Sequence, residues 1–176
     1  SSSMDYGKNN KYEYASKIGL GLAYMTNKTN DRFRYSVFSE TLTDLTAARR
    51  NANLGQLVET TNNLRKTPDS KVGECLTQYA SRVKNNSIIV IISDFLVDIK
   101  QIDDALKSLK NSEVLLVQTL SAEELDPEMK GDKILEDPES GSKIRTYLTG
   151  SVKNKYKQKL KKHTSQVEEK RLRTVQ

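Results

Sequence analysis

The stretch SIIVIISD, residues 87–94, decides the fold class of this 176-residue chain. Its five consecutive β-branched apolar residues, Ile88 to Ile92, are typical of a strand buried on both faces, as in a parallel sheet covered by helices. A second apolar run, EVLLVQT at residues 113–119, follows after a segment long enough for one helix. Strands that alternate with helices predict a three-layer α/β/α fold with a mainly parallel sheet.

The helices that cover this sheet are predicted from apolar residues that recur at helical spacing. The first spans residues 11–26 and is expected to bury Ala15, Ile18, Leu22 and Met25. Further helices are expected at residues 53–65, 72–83, 99–109 and from 152 onward. Shorter strands are expected at residues 32–39, 42–46, 133–136 and 143–148.

The net charge of +6 is concentrated at the C-terminal end of the chain. Residues 151–176 hold nine lysines and arginines against two glutamates, whereas residues 1–150 are close to neutral. We therefore expect one α/β domain over residues 1–150 and a basic helix over residues 151–176 that packs on it or extends from it. Within that helix, Lys155, Lys159 and Lys162 are predicted contacts for an acidic partner. Lysines on nearly every side of a helix favour a solvated surface over nucleic-acid recognition.

Composition excludes several classes of protein. No apolar run approaches the roughly 20 residues that a membrane-spanning helix needs. One cysteine, Cys75, is expected to be buried, and a single cysteine excludes an internal disulfide framework, so a cytoplasmic setting is expected. The only histidine, His163, is predicted to lie on the solvated surface of the basic helix. With no P-loop and no histidine near Ser93 and Asp94 in the sequence, we do not expect an enzyme.

Asp94 is the residue with the clearest chemical signal. It directly follows the strand at residues 87–94, and ligands of α/β proteins gather at the carboxyl ends of the strands. Hydroxyls of Ser1, Ser3 and Ser70 would complete an all-oxygen ligand set of the kind that magnesium or manganese prefers. Each residue also has a plainer interpretation: Asp94 and Ser70 as caps, and the leading serines as a cloning remnant or a frayed end.

Several short motifs resemble one family of proteins. The runs SSSMDYG (residues 1–7), NDRFRYSVFSE (30–40), IIVIISDFL (88–96) and ELDPEM (124–129) are similar to domain-of-unknown-function family 58. This family is a prokaryotic branch of the von Willebrand factor A-like domains. The resemblance covers nearly the whole chain and implies a Rossmann-type fold with a metal-ion-dependent adhesion site. It implies Ser1, Ser3, Ser70 and Asp94 as the metal ligands.

The chain also departs from that family pattern. The aspartate expected two residues before Ser1 is absent, as are the buried central strand that leads into it and the final strand of the sheet. We therefore expect a sheet without its first central strand and its last strand, with unpaired strand edges. Unpaired edges favour association, so a homodimer is a further prediction.

The resemblance implies a non-catalytic protein-interaction module. In such an adhesion site the metal keeps one coordination position open for an acidic group of a partner protein. The family resemblance further implies that this partner is a MoxR-type AAA+ ATPase, for which the module acts as an adaptor. The alternatives are a magnesium-dependent phosphohydrolase-like enzyme, and binding of nucleic acid or an acidic partner through the basic C-terminal helix.

Overall fold

A computed structural model describes residues 10–46, 52–64, 71–84, 86–127, 131–136 and 143–173 as a mixed α/β fold. The α/β class predicted from sequence is therefore confirmed. Its helices are α1 (Lys11–Lys28), α2 (Leu54–Asn63), α3 (Val72–Ala80), α4 (Ile99–Ser108), α5 (Ala122–Leu125) and α6 (Gly150–Arg173). Its strands are β1 (Ser36–Phe38), β2 (Leu42–Asp44), β3 (Ile88–Ser93), β4 (Glu113–Gln118), β5 (Gly131–Glu136) and β6 (Lys143–Leu148).

The centre of the fold is the parallel pair of β3 and β4, which are joined through α4. Ile89 and Ile91 of β3 point into a core built with α3, α4 and one residue of α6. On the opposite face of β3, Ile88 is 75% exposed, and Val90 and Ile92 are half-buried. The prediction that this strand is buried on both faces holds for the face of Ile89 and Ile91, whereas the other face is only partly covered by the described residues.

The strands form three separate two-stranded sheets among the described residues, and not one mainly parallel sheet. β1 and β2 are antiparallel, as are β5 and β6. Three residues connect β1 to β2, which is enough for a hairpin but far too few for a parallel crossover. The predicted strand at residues 32–39 is shorter than expected, because the amide of Tyr35 bonds to the side chain of Thr46 instead of a ladder carbonyl.

The buried face of α1 differs from the predicted one. The structure exposes Leu22 and leaves Met25 64% exposed, although both were expected in the core. Ala15 is buried as predicted, but the other buried positions of α1 are Lys11, Ser16, Gly19 and Ala23. Small side chains face inward because the helix lies close to Tyr35: a Cβ on Gly19 would stand 3.0 Å from the Tyr35 ring.

Enlarging Gly19 should therefore destabilise the protein. We expect Gly19→Leu to lower the free energy of unfolding by about 1–3 kcal/mol, because the added side chain must push Tyr35 aside. Gly21→Leu is the matched control, since a Cβ at Gly21 meets nothing within 4 Å. That variant should gain up to about 1 kcal/mol from helix propensity. Urea denaturation of both variants measures the difference, and equal effects at the two positions would contradict the close packing of α1.

Helix α6 packs on the α/β body through two buried residues and several ion pairs. Leu160 and Val167 are buried, and Val167 joins the central core. Lys170 bonds to Asp103 of α4 at 2.7 Å. Lys153 and Lys157 both reach Asp126, at 2.6 and 2.8 Å. The basic helix is thus held by acidic residues of two other segments.

These ion pairs make the stability of the protein dependent on pH. Hydrogen bonds from Lys170 and Lys107 lower the pKa of Asp103 from 3.8 to about 2. Hydrogen bonds from Lys153 and Lys157 lower the pKa of Asp126 in the same way, to about 2. A carboxylate whose pKa is lower in the folded state contributes stability above its unfolded pKa and loses it as the pH falls through the folded value.

We therefore expect the thermal midpoint to fall between about pH 4 and pH 2 as these pairs are protonated. In the double variant Asp103→Asn, Asp126→Asn, the thermal midpoint should change less with pH over this range, and it should be lower than that of the parent chain at pH 7. The effect should shrink in high salt, because exposed ion pairs are screened. Identical pH profiles for the variant and the parent chain would show that the two aspartates do not hold α6.

Cys75 is buried, as predicted, with its thiol 3.5 Å from the carbonyl oxygen of Ser39. Burial raises the pKa of the Cys75 thiol, which keeps it in the unreactive protonated form. In the described part of the chain, no helix combines the length and the apolar character that a membrane span requires.

Candidate functional site

The site lies where β3 and β4 end side by side. Asp94 follows β3, and Thr119 follows β4 at the same edge of the sheet. The amide of Thr119 donates to the carbonyl oxygen of Ser93 at 2.9 Å. The side-chain amide of Gln118 donates to the carbonyl oxygen of Asp94, also at 2.9 Å. These bonds fix the two strand ends against each other.

The backbone turns sharply immediately after Asp94. Phe95 has φ of 52°, a left-handed conformation that bulky residues rarely adopt. Burial and two hydrogen bonds hold Phe95 in this conformation. Its side chain is fully buried, its amide donates to Ser93 Oγ at 3.2 Å, and its carbonyl oxygen lies 2.7 Å from His163 Nε2. Such locally strained positions persist only where the surroundings enforce them, and they cluster at functional sites.

His163 was expected on the solvated surface, and that prediction was wrong. The ring is half-buried and bonds to the Phe95 carbonyl. Because a carbonyl oxygen only accepts hydrogen bonds, Nε2 must carry the proton in this contact. The histidine therefore ties α6 to the turn that presents Asp94.

A buried lysine occupies the centre of the site. Lys11, the first residue of α1, places Nζ 3.0 Å from Asp94 Oδ2 and 2.7 Å from Glu124 Oε1. The side chains of Lys11, Asp94 and Glu124 are only 2%, 7% and 12% exposed. Glu124 is fixed by a second bond, in which its Oε2 accepts from the Ser121 amide at 2.8 Å as part of a capping box. Two carboxylates, one directly after β3 and one in α5, thus converge on one positive charge.

Among the residues that the structure describes, the charges of this cluster do not balance. One ammonium faces two carboxylates, so the three groups together retain one negative charge. Thr119, which directly follows β4, has a buried hydroxyl oxygen with no hydrogen-bond partner among the described residues. An uncompensated negative charge and an unpartnered buried hydroxyl are both features that an additional cation would satisfy.

A family model described as "Protein of unknown function DUF58" matches residues 1–166. The chain belongs to this family. The resemblance drawn from the motifs around residues 1–7, 30–40 and 88–96 is thereby confirmed at the level of the family. No curated protein and no solved structure matches the chain. The family description names no activity, so the function of this DUF58 chain has to be argued from its site.

The four metal ligands predicted for the DUF58 chain are not all described. Asp94 lies at the end of β3, at the edge where it was expected. Ser1, Ser3 and Ser70 lie outside the described residues, and their roles stay predictions. Across the described ranges there is no group of three or more histidine, cysteine, aspartate or glutamate side chains arranged to hold a metal.

Sequence reasoning missed Lys11 and Glu124. Both nevertheless leave a signal in the sequence. Lys11 lies four residues before Ala15, so it falls on the buried stripe of α1 where a charge needs a partner. Glu124 follows Ser121 by three residues, the capping-box spacing that fixes its carboxylate.

The three lysines predicted to contact a partner, Lys155, Lys159 and Lys162, lie on α6 and are exposed. No ion pair joins any of them to a residue that the structure describes, in contrast to Lys153 and Lys170. Their side chains are therefore available to solvent in the described part of this DUF58 chain. Binding of an acidic partner at these positions stays a prediction.

Proposed function

We propose that this DUF58 chain is a non-catalytic protein-interaction module that binds an acidic group of a partner protein through a divalent cation, magnesium or manganese. The cation is held at the edge where β3 and β4 end. The observation that carries the proposal is the convergence of Asp94 and Glu124 on a single positive charge in a buried site. The two carboxylates are already directed at the position of one cation, the Lys11 ammonium, with which a divalent cation would compete.

The donor atoms present suit a hard cation. Asp94 and Glu124 supply carboxylate oxygens, and Thr119 supplies a hydroxyl oxygen that lacks a partner among the described residues. Magnesium and manganese prefer oxygen ligands of this kind. Such a cation, when bound, would offer an electrophilic position to a partner's carboxylate, with Ser1, Ser3 and Ser70 as the further ligands that the family resemblance implies.

Lys11 sets the condition for metal binding. Its ammonium neutralises Asp94 at 3.0 Å, so a divalent cation has to compete with it for that carboxylate. Glu124 gives the displaced ammonium a partner, since it already bonds to Lys11 at 2.7 Å. The cluster therefore has two compensated arrangements, one centred on the lysine and one that includes the metal.

The same geometry supports a binding role over a catalytic one. His163, the only histidine in the chain, bonds to the Phe95 carbonyl and so has Nε2 committed as a donor. Both carboxylates of the cluster are engaged by Lys11, which leaves neither poised as a general base. We further propose a von Willebrand factor A-like arrangement and a cytoplasmic MoxR-type AAA+ ATPase as the partner, on the strength of the motif resemblance.

Calorimetric titration with Mg²⁺ and Mn²⁺ tests the proposal. Changes in outer-shell partners alone cost about 10–100-fold in metal affinity, so Asp94→Asn, which removes a direct carboxylate ligand, should weaken binding at least as much. The variant should remain folded because Lys11 keeps its bond to Glu124. Asp98→Asn is the matched control, since Asp98 is an exposed helix cap and asparagine caps equally well. Equal affinity of the parent chain and Asp94→Asn would refute the proposal.

A further inference from the structure

One peptide group links helix α6 to the Asp94 carboxylate. The carbonyl oxygen of Phe95 accepts a hydrogen bond from His163 Nε2 at 2.7 Å. The N–H of the same peptide group belongs to Leu96, and it donates to Asp94 Oδ1 at 3.4 Å. Because a peptide group is planar, the direction of its carbonyl fixes the direction of its N–H. His163 therefore orients the donor that meets Asp94 Oδ1, while Lys11 bonds to Oδ2.

The second carboxylate of the cluster is connected to the same helix. Glu124 belongs to α5, a helix of only four residues, and Asp126 directly follows the last residue of that helix. Lys153 and Lys157 of α6 both bond to Asp126 Oδ1, at 2.6 and 2.8 Å. Helix α6 thus contacts both segments that carry the carboxylates, through His163 at one segment and through the two lysines at the other.

Helix α6 can hold these two segments at a fixed separation. Lys157 and His163 lie six residues apart on it, which corresponds to about 9 Å along the axis of a regular helix. The helix is itself fixed to the body of the protein, because Leu160 is buried and Val167 packs in the central core. The positions of the two carboxylates therefore depend on a helix that carries neither of them.

We propose that His163 is a positioning residue, which acts through the peptide group between Phe95 and Leu96 to hold the Asp94 carboxylate in place for a divalent cation. Lys153 and Lys157 do the same for the segment of Glu124. The inference rests on the proposed function, since it takes the Lys11 cluster to be the cation site. Groups that orient a metal ligand without touching the metal typically change its affinity by about 10–100-fold.

Residue-specific exchange of the Leu96 amide tests the link without any metal. His163→Leu keeps an apolar side chain at this half-buried position but removes the donor to the Phe95 carbonyl. The Leu96 amide should then exchange at least about tenfold faster than in the parent chain. His163→Gln should restore slow exchange, because the side-chain amide of glutamine can donate in place of the ring Nε2–H.

Calorimetric titration with Mn²⁺ shows whether the link matters for binding. His163→Leu should weaken binding by about 10–100-fold, and His163→Gln should retain most of the affinity. The double variant Lys153→Met, Lys157→Met frees Asp126 and leaves His163 intact. It should also weaken binding, although the loss of two positive charges would by itself strengthen the attraction of a cation. This variant leaves the core unchanged, so it tests the proposal even if His163→Leu fails to fold.

Val167→Ala separates positioning from stability. Val167 lies on the same helix and is buried in the central core, but its side chain forms no hydrogen bond. Its truncation should lower the thermal midpoint, because it leaves a cavity in the core. It should leave the Mn²⁺ affinity close to that of the parent chain, since both anchors of α6 remain. An equal loss of affinity in Val167→Ala and His163→Leu would overturn the proposal in favour of a purely structural role.

Two further results would overturn the proposal, and a third concerns only the proposed function. Equal exchange of the Leu96 amide in the parent chain and His163→Leu would show that His163 does not orient this peptide group. Equal Mn²⁺ affinity in these two chains would show that the orientation does not matter for the cation. Faster exchange in His163→Leu, combined with no Mn²⁺ binding by the parent chain, would support the positioning of Asp94 by His163 and refute the cation site itself.

Discussion

Lys11→Met is expected to lower the free energy of unfolding by about 3–5 kcal/mol, the usual cost of removing one partner from a buried ion pair. Methionine retains most of the length and apolar stem of lysine, so packing changes little. The loss arises because Asp94 and Glu124 would then face each other in a buried site without the ammonium that neutralises them. Urea denaturation monitored by circular dichroism measures the change.

Lys17→Met on the same helix is the control. Lys17 forms an ion pair with Glu13 at 2.7 Å, but its side chain is 70% exposed. An exposed pair of this kind contributes at most about 0.5 kcal/mol. Losses of similar size in the two variants would show that the Lys11 cluster is not buried in the way described.

A compensated variant separates charge from packing. Lys11→Met combined with Asp94→Asn and Glu124→Gln removes the ammonium and both carboxylate charges together. Replacement of a whole buried ionic cluster by neutral groups is often close to neutral for stability, so most of the loss should be recovered. A triple variant as unstable as Lys11→Met would attribute the effect to packing.

The second large effect is expected at Phe95. Phe95→Ala should cost about 3–5 kcal/mol, because it empties a fully buried site at the centre of the core. The substitution should also disturb the candidate site, because Phe95 turns the chain directly after Asp94 and its carbonyl oxygen accepts a hydrogen bond from His163. Denaturation midpoints measure the stability, and the near-ultraviolet spectrum reports on the surrounding aromatic residues.

Leu96→Ala is the neighbouring control, since Leu96 is exposed. Substitutions at exposed positions away from special features usually change stability by about 0.5 kcal/mol or less. A Phe95→Ala variant no less stable than Leu96→Ala would show that the left-handed turn does not depend on burial of the ring.

Local patterns in the sequence were enough to predict most of the regular structure. The helical spacing of apolar residues placed α2, α3 and α4, and the apolar runs placed β3 and β4, all within a few residues. Asp94 could be recognised because a strand and its following residue are adjacent in the chain. These features depend on residues that are close to each other along the sequence.

The rest of the site depends on contacts between distant parts of the chain. Lys11 lies 83 residues from Asp94 and 113 from Glu124, so no periodic pattern relates them. The same holds for His163, whose bond to Phe95 spans 68 residues. The buried face of α1 follows from the close approach of Tyr35 and not from hydrophobicity, which explains why Leu22 and Met25 were assigned to the core incorrectly.

The central claim is that the Lys11 cluster is a cation-centred binding site in which an ammonium and a divalent metal compete. The most direct test is the thermal midpoint of Lys11→Met with Mn²⁺ and with a chelator, beside the double variant Lys11→Met, Asp94→Asn. Without the competing lysine, Mn²⁺ at a hundredfold excess over its dissociation constant should raise the midpoint of Lys11→Met by about 5–10 °C. It should raise that of the double variant far less. Equal midpoints with Mn²⁺ and with chelator, or the same rise in both variants, would contradict the account.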